Sequence, residues 1–222
     1  LLLSCVSIDM LNLQLNRYQN SPRDLRLMLI DPRMELIHYR NIPHIVGPIE
    51  ANSANITKGL KWILNQVELR ILKFEECRVT NLSAYNLTTD DYSLRLPNIA
   101  VCISELSDLV ASDKDAQHII QYVSRMALKT GVHVIASTRN PTVDVINESI
   151  QSSFPSRFLF SLRSKDESVR LLGRPGAERL LGKGDMMAIL PNQESPIRIQ
   201  GPYISENEVE KITGYWCKFH IS

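Results

Sequence analysis

Residues 99–105 read IAVCISE, an unbroken apolar run that ends in two polar residues. Similar runs occur at 26–31 (RLMLID) and 132–137 (VHVIAS). A strand with one face in water alternates apolar and polar residues, whereas a strand of a parallel sheet covered on both faces is apolar almost throughout. The three runs therefore predict neighbouring parallel strands at the centre of the fold.

Segments with helical periodicity separate these strands. Apolar residues recur every three or four positions from 52 to 77, which predicts a long helix capped by Ser53 or Asn55, and again from 115 to 129. The same reading gives weaker elements, which are helices over 8–18 and 206–216, a strand over 158–162 and a hairpin of 186–190 with 197–200. Alternating strands and helices predict one α/β domain over 1–222, with a mostly parallel sheet covered by helices on both faces.

Composition excludes several functional classes. Among 222 residues, 25 Lys and Arg balance 24 Asp and Glu, so the chain is no polybasic nucleic-acid or membrane-surface protein, although a local basic patch stays open. No apolar run approaches the roughly 18–20 residues that span a bilayer, so we expect no transmembrane segment and a cytoplasmic location. The four cysteines lack a C-x-x-C pair and the five histidines lack ligand spacing, so no protein-held metal is predicted.

Polar residues follow each predicted strand. In open α/β sheets the functional groups collect where the parallel strands end. This rule directs attention to Asp31, to Ser104 with Glu105, and to the segment 138–140.

Six segments, in one order, resemble motifs of the FtsK/SpoIIIE family of DNA translocases. The resemblance covers nearly the whole chain, from about Ser21 to Trp216. The segments, each with the family motif it resembles, are IDPRM with IPH at 30–44 ("IDPK…GIPH"), NLSAYN at 81–86 ("RNLAGYN"), ELSDL at 105–109 ("VDEFADL"), TRNPTVDVI at 138–146 ("TQRPSVDVI"), FPSR at 154–157 ("NIPSR"), and GAE with LLGKGDM at 176–186 ("GAE-LLG-GDM").

The resemblance implies a RecA-like P-loop ATPase core. It further implies a hexameric ring that uses ATP and Mg²⁺ to translocate double-stranded DNA, as in chromosome segregation. Family members of the full type carry a membrane anchor and a winged-helix domain. We expect neither here, and interpret residues 1–222 as a single motor domain.

Site residues follow from the same resemblance. Glu105 takes the position of the catalytic carboxylate, and Ser104 stands where the family has the Walker B Asp. Thr138 and Arg139 take the sensor position, where the family has Thr and Gln. We therefore expect Ser104, Thr138 and Arg139 to contact the nucleotide and Glu105 to be catalytic.

Three basic residues are candidates for contacts between subunits. Arg70 aligns with an arginine of the family's "ERRY" helix, and is interpreted either as a contact to a phosphate on a neighbouring subunit or as a solvated helix arginine. Arg157 and Lys183 are interpreted as contacts to phosphate or as members of interface salt bridges.

Three residues are candidates for DNA contacts. Arg125, Lys129 and Asn140 lie where the family's ring approaches the duplex, and such contacts would go to backbone phosphates without reading sequence. The alternative for the two basic residues is a solvated helix face.

The sequence departs from the family at the phosphate loop. G-x-x-x-x-G-K-[ST] does not occur, and no glycine precedes Gly47. Residues 1–6 stand where the Walker A motif should lie, so this motif is either degenerate or belongs to a part of the protein outside this sequence. With the changes at Ser104 and Arg139, the sequence predicts a motor domain impaired in hydrolysis. The alternatives are a non-catalytic pseudo-ATPase or scaffold that assembles with active motor subunits, and an independent DNA-binding module.

Overall fold

The computed structural model describes residues 21–49, 52–142, 144 and 146–218. The predicted helix over 8–18 and the phosphate-loop position at 1–6 lie outside these residues. In chain order the elements are β1 (Leu25–Ile30), α1 (Ser53–Glu76), α2 (Leu82–Asn86), β2 (Asn98–Ile103), α3 (Leu106–Ser112), α4 (Lys114–Thr130), β3 (Val132–Ala136), α5 (Glu148–Ser153), β4 (Arg157–Leu159), α6 (Lys165–Leu172), β5 (Asp185–Ile189), β6 (Ile197–Gln200) and α7 (Glu206–Cys217).

The three apolar runs form a parallel sheet in the order β1-β2-β3, as predicted. Ile30 pairs with Ile103, and Ile103 pairs with Ala136, so the three strands end level with one another. This common register sets which residues leave the sheet together.

Alternate residues of the central strands enter two different cores. Met28, Ile30 and Val101 belong to a cluster with α1, α3 and α4. Leu29 and Cys102 belong to a second cluster with α7 and the segment 36–42. Both faces of the sheet are therefore covered, which explains why the strands are apolar throughout.

Local capping fixes the two long helices. Asn52 caps α1, because its side chain accepts a hydrogen bond from the main-chain N–H of Asn55, so the predicted caps Ser53 and Asn55 are wrong by one and three residues. The α4 helix ends at Gly131, whose φ of +67° favours glycine. A Cβ at this position would lie 2.2 Å from Cδ2 of Leu82, so the close approach of α2 also requires glycine.

A second, antiparallel sheet has the order β4-β5-β6 and contains the predicted hairpin. Asp185 joins the two strands of this hairpin, because Arg198 donates to its carboxylate at 2.6 and 2.8 Å. The Arg198 guanidinium and the main-chain N–H of Leu181 lower the pKa of Asp185 to about 2. Among the helices of the described residues, none is both long enough and apolar enough to cross a membrane.

Arg70 lies in the interior, on the α1 face that packs against α4. Only 3% of the residue is exposed, and its guanidinium donates to the main-chain oxygens of Thr130 and Pro97 at 2.6 Å each. Thr130 lies two residues before β3 and Pro97 lies one residue before β2, so Arg70 ties α1 to the amino edge of the sheet. Burial lowers the pKa of Arg70 to about 10. The interpretation as a solvated helix arginine is wrong, and the inter-subunit phosphate contact stays a prediction.

Arg70→Ala should lower the free energy of unfolding by about 2–4 kcal/mol, because two main-chain oxygens lose a charged donor. Urea unfolding at neutral pH measures this loss. Arg125→Ala is the control, since this arginine is exposed on α4 and its removal should change the free energy by less than about 0.5 kcal/mol. Equal losses for the two variants would contradict the structural role.

Candidate functional site

The carboxyl edge of the central sheet brings together residues from three separate segments. Asp31 follows β1, Ser104 follows β2 and Ser137 follows β3. The main-chain hydrogen bonds between the strands continue one residue past the strand ends. The N–H of Ser104 donates to the main-chain oxygen of Ile30 at 3.0 Å, and that of Ser137 donates to the main-chain oxygen of Ile103 at 2.9 Å. The first residue beyond each strand is therefore held beside its neighbours.

Asp31 is a buried carboxylate at this edge, with no exposed surface. Its Oδ1 accepts a hydrogen bond from the Ser104 hydroxyl at 2.7 Å, and its Oδ2 accepts one from the main-chain N–H of Leu36 at 2.6 Å. Within the part of the chain that the structure describes, Asp31 forms no ion pair. Among the described residues, neutral donors alone bond the Asp31 carboxylate, an arrangement that a nearby cation would complement.

Glu105 is the second buried carboxylate, with 2% of the residue exposed. Its Oε1 accepts a hydrogen bond from the Thr138 hydroxyl, and the main-chain N–H of Arg139 lies 3.2 Å from both carboxylate oxygens. Nη1 of Arg33 lies 3.7 Å from Oε2. Glu105 is therefore held from the end of β3 on one side and approached by a cation on the other.

Two arginines form ion pairs at the rim of the site. Arg33 donates to one oxygen of Asp108 from Nη2 at 2.9 Å and from Nε at 3.1 Å, and this bond, with the nearby charges of Glu105 and Glu35, raises the pKa of Arg33. Arg139 donates to Glu35 at 2.7 Å, although 69% of the Arg139 side chain is exposed. Each rim guanidinium already has a carboxylate partner, so an anionic ligand would compete with these pairs.

The oxygen groups at this edge suit a hard cation. Asp31, Ser104 and Glu105 supply two carboxylates and one hydroxyl. The described residues contain no cluster of three or more His, Cys, Asp or Glu side chains placed to hold a metal ion. Mg²⁺ keeps several waters and binds through one or two carboxylates together with substrate phosphates. The donor set fits such shared binding, in which Mg²⁺ would neutralise phosphate charge.

The structure brings four of the sequence-derived site residues together, namely Ser104, Glu105, Thr138 and Arg139. Asn140 adjoins them, because its main-chain oxygen accepts a hydrogen bond from Ser107 at 3.0 Å. Sequence reasoning pointed to Asp31 only as a strand end, and gave no role to the other residues of the network, which are Arg33, Glu35, Ser107 and Asp108.

The remaining candidates lie elsewhere, and their functional roles stay predictions. Arg157 begins β4 and donates to Gln151 at 2.6 Å, and its burial lowers its pKa. Lys183 is exposed in the turn before β5, with a φ of +53°. Arg125 and Lys129 are both exposed on α4.

Sequence comparison relates the chain to DNA motors. The model of the FtsK/SpoIIIE family matches residues 17–143, which is more than half of the chain. DNA translocase FtsK of Clostridium acetobutylicum is 38% identical over 202 residues, and DNA translocase SftA of Bacillus subtilis is 33% identical over 202 residues. Each alignment covers 89% of this chain but only 26% and 21% of the relative, so the chain spans about a quarter of their length.

Comparison with solved structures supports the α/β ATPase fold. The pCW3 conjugation coupling protein TcpA, in its monomer form with ATPgS, superposes with a TM-score of 0.76 at 18% identity, covering 90% of this chain and 58% of TcpA. EssC (ATPases 2 and 3) from Geobacillus thermodenitrificans gives a TM-score of 0.73 at 17% identity, covering 96% of this chain and 42% of EssC. At these identities the likeness concerns the fold alone.

Ser104→Asp should destabilise the protein in the presence of EDTA, because it adds a second carboxylate beside buried Asp31. We expect a loss of about 1–3 kcal/mol, which shrinks when Mg²⁺ is added because the cation offsets the repulsion between the two carboxylates. Urea unfolding with EDTA or with Mg²⁺ measures both effects. Ser104→Asn has a similar shape without the charge, and the same Mg²⁺ response in both variants would contradict a cation-attracting edge.

Proposed function

The chain belongs to the FtsK/SpoIIIE family, and from this premise we propose that it is a motor domain that uses ATP to move double-stranded DNA. The observation that carries the proposal is the buried Glu105 at the end of β2, held by the sensor-position Thr138. Both of its named relatives are DNA translocases. The domain would act in the cytoplasm, where both DNA and ATP are present.

Glu105 is suited to orient and deprotonate an attacking water. Its carboxylate is fixed by Thr138 and by the main chain of Arg139, so little reorganisation is needed at the moment of reaction. ATP would bind beside this group with Mg²⁺ near Asp31 and Ser104. Arg139 would then exchange Glu35 for a phosphate oxygen, which its exposure permits.

Hydrolysis by this chain should be slow, because Ser104 brings no charge to the cation. A charge-assisted hydrogen bond contributes about 1.5–3 kcal/mol, which corresponds to roughly ten- to a hundredfold in rate. ATP turnover is therefore proposed to be impaired, although the carboxylate of Glu105 is retained.

A second candidate function is a non-catalytic subunit that assembles with active motor subunits. It is favoured by the rim ion pairs, because Arg33 and Arg139 are already bound to Asp108 and Glu35. Such a subunit would occupy one position in a homo- or hetero-oligomeric ring, with six positions by family resemblance. Arg157 and Lys183 remain candidates for phosphate or ionic contacts between subunits. Arg70 is the third candidate, but it is buried and its guanidinium donates to Thr130 and Pro97 of its own chain, so a contact of this kind would require those bonds to break.

Contacts to DNA are proposed for one side of α4 and for the segment after β3. Arg125 and Lys129 are four residues apart on α4 and both are exposed, so they lie on the same side of this helix. Asn140 is exposed at the carboxyl edge. These groups would bind backbone phosphates, which is compatible with motion along DNA of any sequence.

In the full-length protein, a fluorescent ATP analogue should bind more tightly with Mg²⁺ than with EDTA. Phosphate release should be slow, should rise about tenfold or more in Ser104→Asp as the charge is restored, and should disappear in Glu105→Gln. Absence of nucleotide binding would favour the non-catalytic subunit. Release that persists in Glu105→Gln would contradict the role of this carboxylate.

Affinity for duplex DNA should fall as salt rises, and the combined variant Arg125→Ala/Lys129→Ala should reduce the log–log slope by about 2, one for each phosphate contact. A salt titration by fluorescence anisotropy measures this slope. Arg163→Ala/Lys165→Ala is the matched control, because it removes one exposed arginine and one exposed lysine near the start of α6. A slope near zero in the wild type would exclude DNA binding.

A further inference from the structure

Four polar groups contact one another between α3 and the end of β3. Ser107, in the first turn of α3, has 8% of its surface exposed. Its hydroxyl contacts the Thr138 hydroxyl, and lies 3.0 Å from the main-chain oxygen of Asn140. The main-chain N–H of Asn140 in turn donates to the Thr138 oxygen at 3.3 Å. The set thus joins Asn140 to the residue that holds Glu105.

The hydrogens in this set can be counted. Each hydroxyl carries one hydrogen. Thr138 donates its hydrogen to Glu105, so its oxygen accepts from its other neighbours. The hydrogen of Ser107 therefore has two acceptors, the Thr138 oxygen and the Asn140 main-chain oxygen, and it is donated mainly to one of them at a time.

The choice of acceptor affects Glu105. When Ser107 donates to Thr138, the two hydroxyls and the carboxylate form a chain in which each bond polarises the next, and the hold on Glu105 is strengthened. When Ser107 donates to Asn140, that support is weakened. A displacement of the main chain at Asn140 removes one acceptor and shifts the hydrogen to the other.

The segment that follows Asn140 is anchored to α6. Arg170 of α6 donates to the main-chain oxygen of Pro141 and, at 3.4 Å, to that of Ile146. These contacts anchor the segment just beyond Asn140. A ligand bound to exposed Asn140 would therefore shift the short stretch between Thr138 and this anchor, and so change the distance between Ser107 and the main-chain oxygen of Asn140.

We propose that Ser107 is a positioning residue that couples the position of the main chain at Asn140 to the hold of Thr138 on Glu105. This inference rests on the proposed function, in which Asn140 lies against DNA and Glu105 acts on water beside ATP. Ser107 would then transmit DNA contact to the nucleotide site over two hydrogen bonds.

Amide hydrogen exchange at Arg139 and Asn140 tests the coupling without any ligand. Four proteins are compared: the wild type, Ser107→Ala, Glu105→Gln and the double variant. Ser107→Ala should speed exchange at Asn140 by about threefold or more, because the loop loses a hydrogen bond. The effect in the double variant should differ from the product of the single effects by about twofold or more. Ser112→Ala is the control, since in the part of the chain that the structure describes this hydroxyl bonds within α3, to Leu109 at 3.0 Å.

If Ser107 has only a structural role, the change in exchange rate in the double variant should equal the product of the changes in Ser107→Ala and Glu105→Gln. This result would overturn the proposal. Exchange in Ser112→Ala that matches Ser107→Ala would overturn it as well. A change in the double variant that differs from this product supports the proposal.

The second measurement uses ligands. In the wild type, duplex DNA should change the affinity for the fluorescent ATP analogue, and Ser107→Ala should reduce that change by about twofold or more, whereas Ser107→Thr, which keeps the hydroxyl, should retain it. Suppose that the double variant's effect on amide exchange differs from the product of the single effects, but neither ligand binds. The coupling between Asn140 and Glu105 then stands and the proposed function fails. If both ligands bind but Ser107→Ala leaves their coupling unchanged, the proposed function stands and the role of Ser107 fails.

Discussion

The burial of Asp31 and Glu105 at one edge of the central sheet is the constraint on which the site depends. Asp31 is satisfied by the Ser104 hydroxyl and a main-chain N–H, and Glu105 by the Thr138 hydroxyl and the N–H of Arg139. Apart from the N–H of Leu36, which is local to Asp31, these donors follow β2 and β3, so they reach the two carboxylates only because β1, β2 and β3 end level with one another. A slip of one residue in either pairing would turn the donors to the opposite face and leave buried charge without a partner.

Much of this framework could be predicted from the sequence, because its signals are local. Unbroken apolar runs mark strands covered on both faces, and the ends of these runs already indicated Asp31, Ser104 and the segment after β3. The helix predicted over 52–77 is Ser53–Glu76, and that predicted over 115–129 is Lys114–Thr130. The short helices α2 and α5, with five and six residues, are too short to show a period.

Side-chain partners were not predictable in the same way. Arg70 occupies the stripe formed by Ile63, Val67 and Phe74, so helical spacing alone indicates a buried position. Its acceptors, however, come from the chain segments before β2 and β3, and only the folded arrangement brings them together. The ion pairs at the rim also form only in the folded chain, since Arg139 and Glu35 are 104 positions apart and Arg33 and Asp108 are 75 positions apart.

Ser104 stands where the family has an aspartate, so this edge of the sheet has one carboxylate fewer, although the carboxylates of Asp31 and Glu105 remain. Ser104 donates its single hydrogen to Asp31, just as Thr138 donates its own to Glu105. Both hydroxyl hydrogens therefore point at buried carboxylates. The Thr138 oxygen accepts from the main-chain N–H of Asn140, whereas no donor among the described residues bonds the Ser104 hydroxyl oxygen, so its lone pairs can accept from, or coordinate, a ligand. An edge of two carboxylates and one such hydroxyl oxygen is unfavourable for a bare anion but suits an anion that arrives with its cation. For this reason we expect the metal-bound nucleotide, rather than the free nucleotide, to be the species that this edge of the sheet accepts.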